Sequence, residues 1–487
     1  MTKMKRNKLY ISLFLGSAIL FSCAPQRNYK IKEFKLPEQI RGIDTIGTTD
    51  SIPDIKISWK DFFKDQQLND LIEQGLQNNF DIKKSLKNIE IYNNRYLQAK
   101  QEWLPSVNAT LANPYYQFRS ENFNSNPSAN YYAQTGKDAP ETMFMYFSQN
   151  ISNINLNWEI DIWGKIKSQK AASLASYLQT QEVQKLLQTN IVAKIAEGYF
   201  NLILLNAQLD VAKSNFELNK NTLRFVELQY ESGKTTALAK QQTRSQMLVA
   251  KAMIPKLERQ LMVQENDLQF LIGDLPETVS IDQSTFDELL ENDILSTKIP
   301  LEMVSLRPDV KAANYSLQIK NAQVGVAQTN RYPKLEISLV GGVNSLLPKN
   351  WFDIPGSLMG NIIGNLTEPI FNKRKLKTAY QNAKIEREQA EIEFQKTVYK
   401  AINEISDALI SLNKIEEELA IAKEQLDTAK LSNEQATMLF NSGYATYLEV
   451  INSQRVSLNT ELSYNQLKQA KLNARIKLYK ALGGGWN

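Results

Sequence analysis

The chain contains two copies of one sequence pattern, and this duplication restricts its fold more than any other feature. An aspartate is followed by a proline at the same spacing twice, as Asp81 to Pro105 and as Asp309 to Pro333. Three further motifs recur roughly 210 positions later: Ile162-Trp163-Gly164-Lys165 as Ile370-Phe371-Asn372-Lys373, Tyr230-Glu231-Ser232-Gly233 as Phe440-Asn441-Ser442-Gly443, and Leu271-Ile272-Gly273 as Ala481-Leu482-Gly483. The sequence therefore predicts a tandem repeat whose copies differ mainly in loop length.

Each copy predicts a helix of about 24 residues followed by a strand. Asp81 and Asp309 are of the residue type that caps helix N-termini, and Pro105 and Pro333 are expected to end the helices. The residues after each proline alternate between apolar and polar, as in a strand with one buried face. The apolar positions are Val107, Ala109 and Leu111 in copy one and Leu335, Ile337 and Leu339 in copy two.

A second strand is predicted in copy one near Phe147 to Trp158. The loop before it, 119–141, is rich in Asn, Ser and Gly, and it is about 20 residues longer than its counterpart at 346–355. With the equivalent pair in copy two, the chain is expected to contribute four strands.

Two proline-free stretches, 165–230 and 373–440, predict very long helices. Apolar residues recur in them at alternating spacings of three and four, which indicates a coiled-coil seam. Each helix would be about 100 Å long. The seam residues are Leu202, Leu205, Leu209, Ala212, Phe216, Leu223, Val226 and Tyr230 in copy one, with Asn219 as a polar exception. In copy two they are Val398, Ala401, Ile405, Ala408, Leu412, Ile415, Leu419, Ala422, Leu426, Ala429, Ala436 and Phe440, with Asn433 as the exception.

Gly233 and Gly443 are expected to end the long helices, and a return helix should follow each of them. The return helix and the 24-residue helix, stacked end to end, would match the length of one long helix. Pro255 lies within the first return helix and is expected to kink it.

A hairpin of this length cannot bury its apolar seam alone, and four strands cannot close a sheet on themselves. Because an open sheet edge is not tolerated in lipid, three chains are the simplest closed arrangement. The predicted fold class is mixed and mainly α. Duplicated coiled-coil hairpins would form an α-barrel, and four strands per chain would contribute to a 12-stranded trimeric membrane β-barrel.

The first residues have the pattern of a signal peptide. A basic start is followed by the apolar run Leu9 to Phe21, which is too short to span a bilayer as a helix. The run ends in Leu20-Phe21-Ser22-Cys23, which resembles a bacterial lipobox with Cys23 as the acylated residue, and Ala24 follows it. The alternative is an ordinary signal peptide with an incidental cysteine.

Composition excludes several classes of active site. The chain has no histidine and one cysteine, which rules out Ser-His-Asp and Cys-His catalysis and histidine metal sites. The net charge of +5 is small and the charges are interspersed, so no nucleic-acid partner is expected. We predict a protein that is not an enzyme and that holds no cofactor or metal. The absence of Met and His clusters favours organic solutes over metal ions as cargo.

Five motifs in the same order on this duplicated frame resemble TolC-like outer-membrane factors, especially the efflux lipoproteins of the NodT/OprM type. The motifs are Trp59-Lys60-Asp61-Phe62-Phe63, Trp158-Glu159-Ile160-Asp161-Ile162-Trp163-Gly164-Lys165, Leu306-Arg307-Pro308-Asp309-Val310, Glu368-Pro369-Ile370-Phe371 and Leu478-Tyr479-Lys480-Ala481-Leu482-Gly483-Gly484-Gly485-Trp486.

The resemblance implies the outer-membrane channel of a tripartite efflux system. Such a channel would passively conduct solutes exported by an inner-membrane pump through a periplasmic adaptor protein. The implied partners are two further copies in a homotrimer, the adaptor, a pump of the resistance-nodulation-division type, and outer-membrane lipid. Two alternatives are the exit duct of an ABC-type protein secretion system and a structural periplasmic coiled-coil lipoprotein.

The resemblance also places the periplasmic gate and the adaptor contact at the two hairpin tips, 230–242 and 440–452. Ser232 and Gly233 in the first tip, and Ser442 and Gly443 in the second, would form the turns. Leu238 and Leu448 are expected to pack against the turns. Tyr230 and Phe440 are either gate aromatics or residues of the seam.

Glu449 and Asn452 occupy positions where members of this family often carry acidic residues facing the pore. Three copies of Glu449 would form an acidic ring that favours cations, or Glu449 is a solvated helix charge. Copy one has Ala239 and Gln242 at these positions, so the entrance is expected to have threefold chemistry.

The expected organisation is a signal peptide (1–22), a lipid-anchored extended segment (23–58), the first repeat (59–275), an equatorial linker (276–302) and the second repeat (303–487). Aromatic residues near the strands are expected at the lipid interface: Tyr115, Tyr116, Trp158, Trp163 and Trp351. For Trp158 and Trp163, core packing is the alternative.

Overall fold

The computed structural model describes residues 58–119, 136, 145–279 and 302–484. Cys23 and nearly all of the 119–141 loop lie outside these residues. The helices are α1 (Trp59–Phe62), α2 (Gln66–Asn78), α3 (Phe80–Gln101), α4 (Lys165–Glu231), α5 (Ala237–Ile272), α6 (Glu302–Leu306), α7 (Pro308–Thr329), α8 (Lys375–Asn441) and α9 (Tyr447–Ala481). The strands are β1 (Ser106–Arg119), β2 (Met145–Ile160), β3 (Lys334–Ser345) and β4 (Leu358–Thr367), and a 3₁₀ turn covers Pro348–Asn350.

The same order of elements occurs twice, as a helix, two strands, a very long helix and a return helix. The long helices α4 and α8 each have 67 residues, and the return helices α5 and α9 have 36 and 35. The predicted fold class, mainly α with four strands, is confirmed at the level of the chain.

The described residues form two compact units. One comprises 93–119, 136, 145–175 and 318–389 and contains the sheet; we call it the sheet unit. The other comprises 58–92, 176–279, 302–317 and 390–484 and is helical; we call it the helical unit. Each sequence repeat supplies residues to both units.

The sheet has four antiparallel strands in the order β1-β2-β3-β4. Ser106 lies opposite Asn157 in the first pair of strands, and Trp158 lies opposite Ile337 in the second. The register of β1 shifts between Thr110 and Asn113. Among the residues that the structure describes, β1 and β4 each pair with one strand, so the sheet has two edges.

The sheet has one apolar and one polar face because its strands alternate in residue type. On β2, the apolar face carries Ile154, Leu156 and Trp158, and the polar face carries Asn153, Asn155 and Asn157. Apolar-face residues from all the strands are exposed on this chain: Val107, Leu111, Ile154, Leu339, Ile362 and Leu366. An exposed apolar face of this extent indicates a surface that another apolar phase or partner covers.

The aromatic residues near the strands take several positions. Tyr115, Tyr116 and Trp158 are exposed, whereas Trp163 is half-buried against Tyr332. The ring of Trp351 stacks on that of Phe352 with centroids 5.6 Å apart. The exposed tyrosines and Trp158 are therefore available to an interface, and Trp163 is a packing residue.

The helical unit is held by a core that joins α1, α2, α4, α5 and α9. Phe62 of α1 and Phe63, which directly follows it, pack on Tyr479 of α9, with ring centroids 4.8 and 5.5 Å apart. Tyr199 of α4 donates from its hydroxyl to Asp65 Oδ2 at 2.8 Å. The first of the quoted motifs, around Trp59, therefore serves packing.

The coiled-coil seam is confirmed along both long helices. Ala401 and Ile405 of α8 and Leu202 of α4 are fully buried. The polar exception Asn219 is also buried, and its Nδ2 donates to Asn215 O at 2.8 Å. Tyr230 departs from the seam, because its side chain is exposed.

The short helices stack end to end on the return helices, as predicted. In copy one, Asn79 Nδ2 donates to Leu271 O at 2.8 Å, and the rings of Phe80 and Phe270 lie 6.4 Å apart. In copy two, Arg307 Nη1 donates to Ala481 O at 2.7 Å. Each joint therefore satisfies a carbonyl group at the end of a return helix.

Arg307 is a buried charge within the second joint. Its guanidinium donates to Asp309 at 2.7 and 3.0 Å and to Glu404 at 2.6 Å. Burial disfavours its charge, but the hydrogen bonds and negative charges of Asp309 and Glu404 outweigh burial and raise its pKa.

The predicted aspartate caps were wrong. Asn79 caps α3, because its Oδ1 accepts from the backbone N–H groups of Asp81 and Ile82 at 2.9 and 3.1 Å. Asp81 and Asp309 lie inside the first helical turn, where a carboxylate is favoured by the helix dipole. Asn79 is the N-cap because it is the single residue between the end of α2 and the start of α3.

One helix boundary also differs from the prediction. The second long helix begins at Lys375, because Lys373 and Arg374 have positive φ angles of 42° and 66°. Helix α5 is continuous from Ala237 to Ile272 with Pro255 inside it, and the kink at Pro255 stays a prediction. In the described part of the chain, no helix has both the length and the apolar character needed to cross a membrane.

Candidate functional site: the two hairpin tips

Both tips turn through the same backbone motif. In the first, Gly233 N donates to Tyr230 O at 3.0 Å and Lys234 N donates to Gln229 O at 2.8 Å. In the second, Gly443 N donates to Phe440 O at 3.0 Å and Tyr444 N to Leu439 O at 2.8 Å. This pair of bonds defines a Schellman C-cap. The motif requires one residue in the left-handed backbone conformation, which glycine adopts without strain. Gly233 and Gly443 have φ angles of 70° and 81°.

The serines before the glycines reinforce the helix ends. Ser232 Oγ donates to Leu228 O at 2.5 Å, and Ser442 Oγ donates to Met438 O at 2.9 Å. Ser232, Gly233, Ser442 and Gly443 therefore all lie in the turns where the sequence placed them.

The return helices begin with different caps. Thr236 Oγ1 accepts from Ala239 N at 3.2 Å and caps α5. Thr446 forms a capping box with Glu449, whose Oε2 accepts from Thr446 N at 2.6 Å and from Thr446 Oγ1 at 3.1 Å. Glu449 is exposed, so it presents a negative charge while it holds the start of α9.

The two tips pack on each other through an apolar cluster. Val226, Ala239, Phe440 and Val450 are buried there, one from each of α4, α5, α8 and α9. The rings of Phe225 and Phe440 meet edge to face with centroids 5.1 Å apart. The cluster makes the four helix ends of one chain into a single unit.

A hydrogen bond also links the tips. Tyr447 of α9 donates from its hydroxyl to Gln242 Oε1 of α5 at 2.6 Å. Further along the hairpins, Gln454 Nε2 donates to Thr222 Oγ1 at 3.0 Å. Both bonds join the second hairpin to the first, so moving one tip relative to the other would break them.

The structure separates the two predicted gate aromatics. Phe440 lies within the apolar cluster and is 5% exposed. Tyr230 is exposed, and the Lys240 ammonium lies 5.6 Å from the centre of its ring. Asn452 is exposed, and its Oδ1 accepts from Arg455 Nη2 at 3.0 Å.

The expectation that Leu238 and Leu448 pack against the turns was wrong. Their side chains are 63% and 54% exposed. Ala239 and Val450 point into the cluster in their place. The tips therefore present apolar surface, to which Met438, Leu439 and Tyr444 also contribute.

Sequence reasoning missed the capping role of Thr446 and the hydrogen bond between Tyr447 and Gln242. A signal for the capping box was present, since Thr446 precedes Glu449 by three residues. The described residues contain no group of three acidic, cysteine or histidine side chains placed to hold a metal ion.

Comparison with known proteins gives consistent results. The sequence model described as outer membrane efflux protein matches residues 71–274 and 301–484. The chain is 25% identical over 479 residues to the cation efflux system protein CusC of Escherichia coli O6:H1, covering 97% of this chain and 98% of CusC. It is 27% identical over 432 residues to the probable outer membrane lipoprotein SilC of Salmonella typhimurium, covering 88% of each.

The fold is also similar to that of a solved channel. The crystal structure of the Campylobacter jejuni CmeC outer membrane channel superposes with a TM-score of 0.81 at 22% identity, covering 95% of each chain. This likeness confirms the predicted TolC-like fold. The family match covers both repeats and confirms the predicted outer-membrane location and efflux function. The chain belongs to the outer membrane efflux protein family.

Proposed function

We propose that three copies of the chain form the outer-membrane channel of a tripartite efflux system. The channel passively conducts solutes that an inner-membrane pump delivers through a periplasmic adaptor protein. The observation that carries this proposal is a four-stranded sheet with one apolar face, one polar face and two unpaired edges, in a chain of two long helical hairpins.

The two faces of the sheet suit a membrane and a water-filled passage. The exposed apolar face would contact lipid, and the asparagine-rich face would line the passage. On the strands, charged residues are confined to Glu159, Lys334 and Glu336 at the helix-proximal end and Arg119 at the far end of β1. Between these ends the passage carries no fixed charge, which supports a conduit for neutral as well as charged organic solutes.

The tips are proposed as the periplasmic gate. Glu449 and Asn452 of the second tip lie on exposed helix surface, and Tyr230 of the first tip is exposed. Phe440 contributes by holding the tips together. The bond from Tyr447 to Gln242 and the apolar cluster couple the two hairpins of a chain, so gating would move both tips.

The exposed apolar residues of the tips are proposed as the adaptor contact. Leu238 and Leu448 project beside the turns formed by Ser232-Gly233 and Ser442-Gly443. Replacing Leu238 with Asp should abolish co-purification with the adaptor while leaving the trimer intact. Leu248→Asp, at an exposed position on the same helix, is the matched control and should bind normally. Equal binding by both variants would remove this tip from the contact.

Acylation of Cys23 is proposed as the membrane anchor. The lipobox supports it, and SilC, which matches most of the chain, is named a probable outer membrane lipoprotein. Cys23→Ala should abolish labelling with radioactive palmitate. Normal labelling of that variant would refute the assignment.

Two other functions agree less well with the structure and sequence of this chain. A structural coiled-coil spacer does not need a sheet with two distinct faces. An exit duct for an ABC-type secretion system would use the same fold, and the lipobox favours efflux with a pump of the resistance-nodulation-division type. Deleting the gene for a cognate pump of that type should then have the same effect on drug susceptibility as deleting the gene for this chain.

The direct test is reconstitution. The purified full-length chain should run as a trimer in native mass spectrometry and should give discrete conductance steps in planar lipid bilayers. A monomer, or a trimer without conductance, would contradict the proposed function.

A further inference from the structure

The junction between β2 and β3 contains an aromatic contact that bridges the two sequence repeats. Trp163, just after β2, packs on Tyr332, just before β3, with ring centroids 5.1 Å apart. The Trp163 Nε1–H group donates to Pro333 O at 2.7 Å. The contact therefore fastens the end of one strand to the start of its neighbour.

The equivalent positions at the two edges of the sheet carry exposed apolar residues in the described part of the chain. Phe371 follows β4 as Trp163 follows β2, and Leu104 precedes β1 as Tyr332 precedes β3. Phe371 and its neighbour Ile370 are 86% and 97% exposed, and Leu104 is 47% exposed. Each edge of the sheet thus carries one half of the contact that is complete at its centre.

Strand direction allows the two halves to meet between chains. Since the four strands alternate in direction, β4 of one copy would pair antiparallel with β1 of the next. In the β2–β3 pair, Trp158 lies opposite Ile337. If β4 and β1 of neighbouring copies pair in the equivalent register, Leu366 lies opposite Ala109. Both of these residues lie on the apolar face, and a one-residue slip would place polar residues there.

We propose that Phe371 of each copy packs on Leu104 of the next copy and closes the sheet at the chain-to-chain junction. This inference rests on the proposed function, because it supplies the contact that the trimer needs. Ile370 of the same segment would cover Trp103 of the next copy, which is also exposed.

The two kinds of junction differ in their polar contacts. At the central junction, Glu159 accepts from Lys165 at 2.8 Å and lies 3.4 Å from Lys334. The equivalent positions at the sheet edges are Thr367 and Ser106, so this ion-pair cluster cannot form between chains. Phenylalanine also lacks the N–H group with which tryptophan satisfies the proline carbonyl. The chain-to-chain junction therefore depends on apolar packing.

Cysteine cross-linking tests the contact directly. The chain has a single native cysteine, Cys23, so a Cys23→Ser background carries only the introduced thiols. Leu104→Cys combined with Phe371→Cys, treated with a short bismaleimide, should give a denaturing-gel ladder that ends at the trimer. Leu104→Cys combined with Ile392→Cys, an exposed position on α8, is the control and should stay monomeric.

The outcomes separate the inference from the proposed function. A variant that remains trimeric by native mass spectrometry but gives no ladder would overturn the Phe371 contact and leave the channel intact. Failure of the unmodified chain to form a trimer would overturn the proposed function itself.

A second variant keeps the inference testable if the cysteine pair does not assemble. Phe371→Trp supplies the N–H group that the central junction has, so it should raise the temperature at which trimers dissociate by about 2 °C or more. Tyr444→Trp at the exposed second tip is the matched control and should cause no shift. An unchanged or lower dissociation temperature for Phe371→Trp would refute the contact.

Discussion

Glu449 has two separable roles in the second tip, as a helix cap and as a fixed negative charge. Its Oε2 accepts from Thr446 N at 2.6 Å in a capping box. Because a glutamine side chain can make the same bond, Glu449→Gln removes the charge and keeps the cap. Glu449→Ala creates the arrangement of copy one, where Ala239 occupies this position, and removes both.

The two effects have different magnitudes and readouts. Losing the cap should cost the tip about 1 kcal/mol per chain. Three carboxylates, each about 10 Å from a permeating cation in water, attract it by about 1 kcal/mol in all. That energy corresponds to roughly a fivefold preference for the cation at low salt, and the preference shrinks as the Debye length falls to about 10 Å at 0.1 M salt.

Reversal potentials in planar bilayers under a potassium chloride gradient measure this preference. Both variants should lose the same cation selectivity, while only Glu449→Ala should speed amide hydrogen exchange at the start of α9. Glu434→Gln, an exposed position on α8, is the matched control. If Glu449→Gln keeps the parent reversal potential, Glu449 does not face the pore. If only Glu449→Ala changes it, the effect is one of capping.

Other contacts give predictions of the same kind. Tyr447→Phe removes the bond to Gln242, worth about 1 kcal/mol, and should raise the open probability of single channels about fivefold; an unchanged value would show that the bond does not restrain the gate. Arg307→Met removes the donor to Asp309, Glu404 and the carbonyl of Ala481, and should lower the free energy of unfolding by about 2 kcal/mol. Arg307→Lys should lose less, and equal losses in denaturant titrations would contradict a role for its charge. Tyr479 is buried with no hydrogen-bond partner for its hydroxyl among the described residues, and burial raises its pKa. The folded state therefore keeps a proton that the unfolded chain releases above a pH of about 10, so stability falls as the pH rises beyond that value. Tyr479→Phe should unfold at the same temperature as the parent or higher at pH 9 and should lose less stability by pH 11; a parallel loss would refute this assignment.

The long helices and the strands could be predicted because their signals are redundant. The seam of α8 repeats over 67 residues, so single exceptions such as Asn433 do not change the period. Because the chain is duplicated, most elements could be predicted twice, once from each copy. The end-to-end stacking of helices followed from their lengths alone.

The details of caps and tips could not be predicted in the same way. Asn79 and Asp81 both have capping side chains, and the choice depends on where α2 ends. Leu238 and Ala239 are neighbours on one helix, and the helix rotation that buries the smaller one is set by packing against α8 and α9. The bond between Tyr447 and Gln242 joins residues from different repeats, and no local pattern connects them.

Besides the length of one loop, the two repeats differ at places where the chain would meet other chains or the transported solute. The central junction has Trp163 and an ion-pair cluster, while the edges have Phe371 and uncharged residues. The second tip has Glu449 where the first has Ala239. A trimer built from such chains alternates between two kinds of strand junction and two kinds of tip around its axis. Its symmetry is therefore threefold in chemistry, although its backbone repeats six times, and the carboxylate of Glu449 is present on every second hairpin.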